Sequence, residues 1–287
     1  MNGPRRQHAL RAFSVDLEDY YQVESLRDFC PRDRWEEFPE RLVANTERLL
    51  EILDECETKG TFFVLGRAAQ RHPELVRRIV SCGHEVASHG FDHELIYRLD
   101  HESFRKDVRR ARSLLQDLSG QDVVGYRAPS YTIMSRTLWA LPILIEEGYL
   151  YDSSIYPIAR RRYGMPRAMR WPHRIETEAA GGIAEFPLST IRFGPVNIPA
   201  TGGAYLRLLP FKWQTWAVKK QAEDGKPVVL SIHPWELDPH QPRFPVPMRT
   251  RWTHYHNLRV SQARLLSLLG MQGYRPLASV LHDLNLI

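Results

Sequence analysis

The apolar positions change period repeatedly along the chain, and each change marks an element. Ala12 to Leu17 is a short apolar run that ends among acids, Asp16-Leu17-Glu18-Asp19, and predicts a strand that delivers carboxylates at its C-terminal end. Tyr20 to Pro39 mixes aromatic and charged residues and reads as a loop with local helix. From Glu40 to Lys59, Leu42, Val43, Leu49, Leu50, Ile52 and Leu53 keep helical spacing, and Gly60 ends the helix. Thr61 to Leu65 is a buried strand. Pro73 sits in the first turn of a helix through Val80 that Gly83 closes. Gly83 to Ala87 is a short strand running into Ser88-His89-Gly90-Phe91-Asp92-His93. Ser103 to Leu118 carries an apolar stripe, Phe104, Val108, Ala111 and Leu115. Val123 to Tyr126 is a strand ending at Arg127. Ser135 to Glu147 is a helix closed by Gly148, and Tyr149 to Tyr151 is a strand followed by Asp152.

Alternation of strand and helix up to Asp152 implies a parallel sheet or barrel. Functional side chains in such barrels gather at the C-terminal ends of the strands. The second half reads differently. Pro157 to Thr201 is rich in Arg, Pro and Gly, with one strand end at Glu185-Phe186-Pro187. Gly202 to Ala222 predicts one or two helices. Val228 to Ile232 is a buried strand ending at His233, and Trp235 to Asn257 reads as a long Pro- and aromatic-rich loop. Leu258 to Gly270 and Pro276 to Leu284 are helices. No composition break, internal repeat or low-complexity tract appears, so residues 1–287 are expected to form a single domain.

Composition adds bounds. The chain has 287 residues, 43% of them apolar, enough for one sizeable core. Seven tryptophans and twelve tyrosines suggest clefts, with carbohydrate one possible occupant. Net charge is +5, with clusters at Arg160-Arg161-Arg162, Arg109-Arg110 and Arg77-Arg78 that read as a solvated basic face; no nucleic-acid-binding motif accompanies them. Cys30, Cys56 and Cys82 form no CxxC pair, which favours a reducing compartment. Met1 to Leu10 is polar and basic, and no apolar run is long enough for a membrane span. The expectation is a cytoplasmic protein, with the inner membrane face as the place beside glycan synthesis.

The candidate chemistry lies at the strand ends. His89 and His93 are spaced to point both imidazoles at one ion. A carboxylate with two neutral imidazoles holds a divalent metal and leaves positions open. Such a metal polarises a carbonyl and lowers the pKa of a bound water. A second carboxylate near that water serves as base, and a histidine on the far side protonates a leaving amine. Asp16, Glu18 and Asp19 supply the carboxylates, His233 the far histidine, and Arg127 a fork that fixes the base. His84, His101, His254 and His256 are left as structural or surface residues.

These stretches, in order, resemble the polysaccharide deacetylases of the NodB-homology type, carbohydrate esterase family 4. Motif one ends the first strand with acids, here Asp16-Leu17-Glu18-Asp19, where the family has an adjacent pair. Motif two is His89-Gly90-Phe91-Asp92-His93, with Gly90 in place of the usual hydroxyl residue. Motif three is Arg127-Ala128-Pro129-Ser130-Tyr131, motif four Asp152-Ser153-Ser154, and motif five Ile232-His233. The resemblance implies an irregular seven-stranded (β/α) barrel over about residues 10–235, a divalent metal, most commonly zinc, and removal of N-acetyl groups from N-acetylhexosamine units of a polysaccharide. It implies Asp16 as base, held by Arg127, and His233 as acid. His89 and His93 are metal ligands, joined by Asp19, which matches the second acid of the family's pair, or by Glu18, which strand alternation puts on the same face as Asp16. Tyr131, Asp152 and Trp235 are expected to line the substrate site. Val15 to Gln22, Ser154-Ile155-Tyr156-Pro157, Arg162-Tyr163-Gly164 and His254-Tyr255-His256-Asn257-Leu258 resemble the subfamily found with exosortase and PEP-CTERM exopolysaccharide gene clusters, whose C-terminal extension corresponds to about residues 155–287. Two other readings remain: a cyclic amide hydrolase of the imidase or allantoinase kind on the same barrel, and a non-catalytic carbohydrate-binding barrel.

Overall fold

The computed structural model describes residues 10–160, 162–178 and 180–287. The basic N-terminal stretch through Ala9, and Arg161 of the arginine cluster, lie outside the described residues. The strands are β1 (Arg11–Leu17), β2 (Thr61–Val64), β3 (Glu85–Ser88), β4 (Gly125–Tyr126), β5 (Tyr151–Asp152), β6 (His173–Thr177), β7 (Gly181–Glu185), β8 (Thr190–Phe193), β9 (Val196–Pro199), β10 (Val228–Ile232) and β11 (Tyr274–Arg275). The helices are α1 (Leu42–Glu55), α2 (Gly66–Arg71), α3 (Pro73–Ser81), α4 (His101–Ser119), α5 (Ala140–Glu146), α6 (Ala204–Leu208), α7 (Phe211–Glu223), α8 (Met248–Tyr255), α9 (Leu258–Leu269) and α10 (Leu277–Asp283).

Hydrogen bonding runs in the order β10-β1-β2-β3-β4-β5-β7-β6. The first seven are parallel, and β6 returns antiparallel to β7. β11 pairs with β1 at Arg11 and Ala12, before β2 takes over at Ser14. The fold is therefore α/β with a mostly parallel central sheet. Between its ends the closure is irregular. The Val229 amide donates to Ser189 Oγ (2.8 Å), Thr201 Oγ1 donates to the Val229 carbonyl (2.7 Å), and the Gly203 amide donates to the Ser231 carbonyl (2.9 Å). Chain that follows β7 thus covers the open edge of β10, where no ladder forms among the described residues.

Side-chain parity along β1 places the chemistry. Phe13, Val15 and Leu17 pack with Leu49, Leu50 and Leu53 of α1 in the larger core cluster. Ala12 belongs instead to the cluster of Phe63, Ala87, Tyr151, Ala184 and Val229 on the opposite face. Successive strand residues point to opposite faces, so Ser14 and Asp16 share the Ala12 face.

The predicted elements recur with corrections. The helix expected over 135–147 is confined to Ala140–Glu146, because Thr137 Oγ1 donates to the carbonyls of Thr132 (2.7 Å) and Met134 (3.2 Å) in a preceding turn. The stretch read as a long loop after His233 contains a 3-10 turn, Pro234–Leu237, and helix α8. Helix α2, strand β6 and the β8–β9 hairpin were not expected; each is short and lacks a clear apolar period. Among the described residues, no helix is long and apolar enough to cross a membrane.

Candidate active site

Asp16 stands at the end of β1 with 2% of its surface exposed, a buried carboxylate that requires a partner. Arg127 provides it, with Nη1 2.6 Å from Asp16 Oδ1. The guanidinium is fully buried and its other bonds fix it. Nη1 also meets Ser14 Oγ (2.9 Å) and Ser231 Oγ (3.0 Å), Nε donates to the Ser153 carbonyl (3.0 Å), and Nη2 to Ser153 Oγ (2.9 Å). Tyr131 Oη donates to the second oxygen of Asp16 (3.2 Å). Burial alone pushes the Asp16 carboxyl up, but Arg127, His89 and His233 together outweigh it and hold the group at about 2.

β1 ends in a tight turn, with the Glu18 amide donating to the Asp16 carbonyl (3.0 Å). Glu18 then meets the two histidines of the loop after β3. One ligand atom each from Glu18, His89 and His93 lies within 4.8 Å of the others, and all three residues are buried. His89 Nδ1 is 2.8 Å from the Arg127 carbonyl. A carbonyl only accepts, so Nδ1 carries the proton and the Nε2 lone pair is left for an ion. Glu18 Oε2 approaches His93 Nε2 to 2.8 Å, yet no hydrogen bond satisfies it. A buried carboxylate oxygen beside two imidazoles makes a donor set that could hold a divalent metal. Burial lowers His89 to about 4, so it stays neutral as a ligand must.

The loop that carries the histidines is held from outside. Asp107 of α4 accepts from the amides of Phe91 (2.9 Å) and Asp92 (3.4 Å), and Arg67 of α2 donates to Asp92 (2.8 Å). Gly90 sits at φ +74°, where a Cβ would lie 2.9 Å from Asp107 Oδ2. This backbone explains glycine where a hydroxyl residue was expected.

Asp19, favoured above as the third ligand, is not part of this cluster. Its Oδ2 accepts from the amides of Arg41 (2.7 Å) and Leu42 (3.0 Å), and its Oδ1 from the Tyr20 amide (2.8 Å). It satisfies unpaired amides at the start of α1, where a negative charge is favourable. The alternative, Glu18, occupies the cluster.

His233 follows β10, which is the direct neighbour of β1. It therefore emerges beside the carboxylates rather than across from them. Its Nε2 is 3.2 Å from Glu18 Oε1 and 3.7 Å from Asp16 Oδ2. Its Nδ1 is 2.7 Å from Glu236 Oε1, and Glu236 in turn pairs with Arg207 (2.7 Å). Burial opposes the charged ring, but Glu236 and Glu18 outweigh it and raise His233 to about 9. Glu236 and Arg207 were missed. The Glu three residues after His233 was the available signal, since that spacing suits a capping box; Arg207 had none.

Two of the expected substrate contacts are not at the mouth. Asp152 is fully buried, accepts from Ser154 Oγ (2.5 Å), and lies opposite the buried Glu185 in the β5–β7 register. Trp235 is 3% exposed and sandwiched, its ring 5.3 Å from His233 and 4.4 Å from His254. Tyr131 alone of the three is partly exposed.

Known proteins carry the same arrangement of sequence in part. Residues 34–142 match the family model described as polysaccharide deacetylase. That stretch is similar to the polysaccharide deacetylases. Residues 153–282 match a second model, described as a domain of unknown function, DUF3473. The deacetylase match contains His89, His93, Arg127 and Tyr131; the second contains Arg207, His233 and Glu236; Asp16 and Glu18 precede both. A peptidoglycan deacetylase-like protein of Gibberella zeae is 36% identical over 38% of this chain and 32% of its own length. The peptidoglycan-N-acetylglucosamine deacetylase of Bacillus cereus is 29% identical over 33% and 35%. The chitooligosaccharide deacetylase of Rhizobium leguminosarum bv. trifolii is 31% identical over 32% and 45%. The matched region thus spans a third to under half of these curated relatives. The fold extends further: a putative polysaccharide deacetylase from Mycobacterium smegmatis superposes with TM-score 0.64 at 23% identity over 99% of this chain and 93% of its own. The Puue allantoinase gives TM-score 0.64 at 15% identity over 97% and 92%.

Proposed function

We propose that this deacetylase relative removes N-acetyl groups from N-acetylhexosamine units of a polysaccharide or its precursor, using one divalent metal, zinc by preference. The observation that carries the reading is the Glu18 carboxylate gathered with His89 and His93, its Oε2 without a hydrogen bond, two residues along from the Arg127-held Asp16. Glu18, His89 and His93 would hold the ion, which when bound polarises the amide carbonyl and acidifies a water.

The remaining steps belong to the chain's own side chains. Asp16, kept ionised by Arg127, takes the proton from the attacking water. The amide carbonyl becomes tetrahedral, and its nitrogen must be protonated before the C–N bond breaks. His233 gives that proton from Nε2 while Glu236 steadies the opposite ring nitrogen. Acetate and the free amine result. Tyr131, partly exposed and bonded to Asp16, borders the place where the sugar enters. An exopolysaccharide is the proposed natural substrate, in the cytoplasm or at the inner membrane face, following the subfamily likeness of the sequence.

The test is acetate release from N-acetylglucosamine oligomers by the metal-loaded protein. Release that stops on chelation and returns with zinc supports the reading. Turnover of a cyclic amide such as hydantoin without acetate release contradicts it and favours the imidase kind of hydrolase.

A further inference from the structure

The C-terminal match is to a domain of unknown function, yet two of its buried charged side chains, Arg207 and Glu236, lead back to His233. Arg207 of α6 is 1% exposed and Glu236 is fully buried, and they form an ion pair of 2.7 Å. Burying such a pair is costly and is tolerated only when every donor and acceptor is used. Here nearly all are. Arg207 Nη1 donates to the carbonyls of His254 (2.6 Å), Thr253 (3.1 Å) and His256 (3.3 Å). The carbonyl of Arg207 accepts from Asn257 Nδ2 (2.9 Å) and Arg264 Nη1 (3.1 Å). Glu236 spends its other oxygen on both the amide (3.1 Å) and Nδ1 (2.7 Å) of His233. Trp235 lies between the rings of His233 and His254, with the Arg207 guanidinium 5.1 Å from its ring centroid.

We infer that this C-terminal region serves the reaction through a buried relay, Arg207–Glu236–His233, in which Arg207 and Glu236 are positioning residues that fix the orientation and tautomer of the acid. The His254-Tyr255-His256-Asn257 segment is the clamp that holds Arg207. A carboxylate accepting at Nδ1 commits that nitrogen to carrying a proton, so the acid proton to be delivered sits on Nε2, toward Asp16 and Glu18. The inference rests on the deacetylase reading for the role of His233 as acid; the contacts that fix its ring are independent of that reading.

The experiment compares the parent with Glu236→Gln and Arg207→Lys, each metal-loaded, on an N-acetylglucosamine oligomer and on p-nitrophenyl acetate. The amide needs a protonated leaving group, and the aryl ester does not. Both variants should lose about a hundredfold in kcat on the oligomer, with KM and ester cleavage little changed, and Arg207→Lys should lose less than Arg207→Met. A second reading needs no substrate: the proton on His233 Nδ1 should appear far downfield in the NMR spectrum of the parent and move upfield in both variants. Equal losses on the two substrates, or a downfield proton unmoved by Glu236→Gln, would overturn the relay. If the parent cleaves neither substrate, the deacetylase reading fails by itself, and the resonance alone decides the relay.

Discussion

Ser14 and Ser231 face each other across β1 and β10, with hydroxyl oxygens 2.7 Å apart, and Arg127 Nη1 reaches both. Two strands thus converge on one nitrogen, which also holds Asp16 at 2.6 Å. Arg127→Lys keeps the charge and loses the fork. It should retain metal and lose about tenfold or more in kcat on an N-acetylated oligomer. Arg127→Met leaves Asp16 buried and unpaired, and urea melts should show about 3 kcal/mol lost. Unchanged kcat in the lysine variant would mean that charge alone, and not the fork, positions Asp16.

Gly90 is the point where the histidine loop depends on backbone. At φ +74° a side chain is strained, and its Cβ would press Asp107, which holds Phe91 and Asp92. Gly90→Ala should therefore cost about 1 kcal/mol or more and weaken metal binding, read by chelator competition. A variant as stable as the parent would show that the loop relaxes freely.

His84 gives the fold an acid limit away from the Glu18–His89–His93 cluster. It is 2% exposed, and its Nδ1 accepts from the Gly60 amide (3.1 Å), so it must be neutral. Burial, with a smaller effect of Lys59, holds it at about 4, below the usual 6.5. The unfolded chain takes the proton first. Stability from this group is therefore full above pH 6.5 and falls as pH drops toward 4, by about 1.4 kcal/mol per unit. His84→Asn keeps an acceptor and removes the titration. Urea melts between these limits should show a shallower acid slope for the variant; parallel slopes would assign the acid sensitivity elsewhere.

Much of this was legible in the residues. Strand ends carried Asp16, His89, His93, Arg127 and His233, because parallel strands deliver their C-terminal residues to one face. What failed depended on turns and neighbours. The choice between Glu18 and Asp19 hinged on parity through a turn and on α1, whose first amides sit beside Asp19. The place of His233 followed from β10 pairing with β1, a contact between chain segments more than two hundred residues apart that no local pattern encodes. Asp152 looked available because its partner Glu185 arrives on another strand. Helix α8 was hidden by a proline-rich approach and is fixed by bonds to Arg207 rather than by a strong apolar stripe.

In the proposed site Glu18, and not its neighbour Asp19, completes the metal-binding set with His89 and His93. Metal content of purified Glu18→Gln and Asp19→Asn, set beside the parent, tests this assignment most directly. The parent and Asp19→Asn should each carry one ion per chain, and Asp19→Asn should lose only stability, about 1 kcal/mol, through its cap on α1. Glu18→Gln should carry little or no ion, with an unchanged fold by circular dichroism. A full complement of metal in Glu18→Gln, with loss in Asp19→Asn, would contradict the assignment.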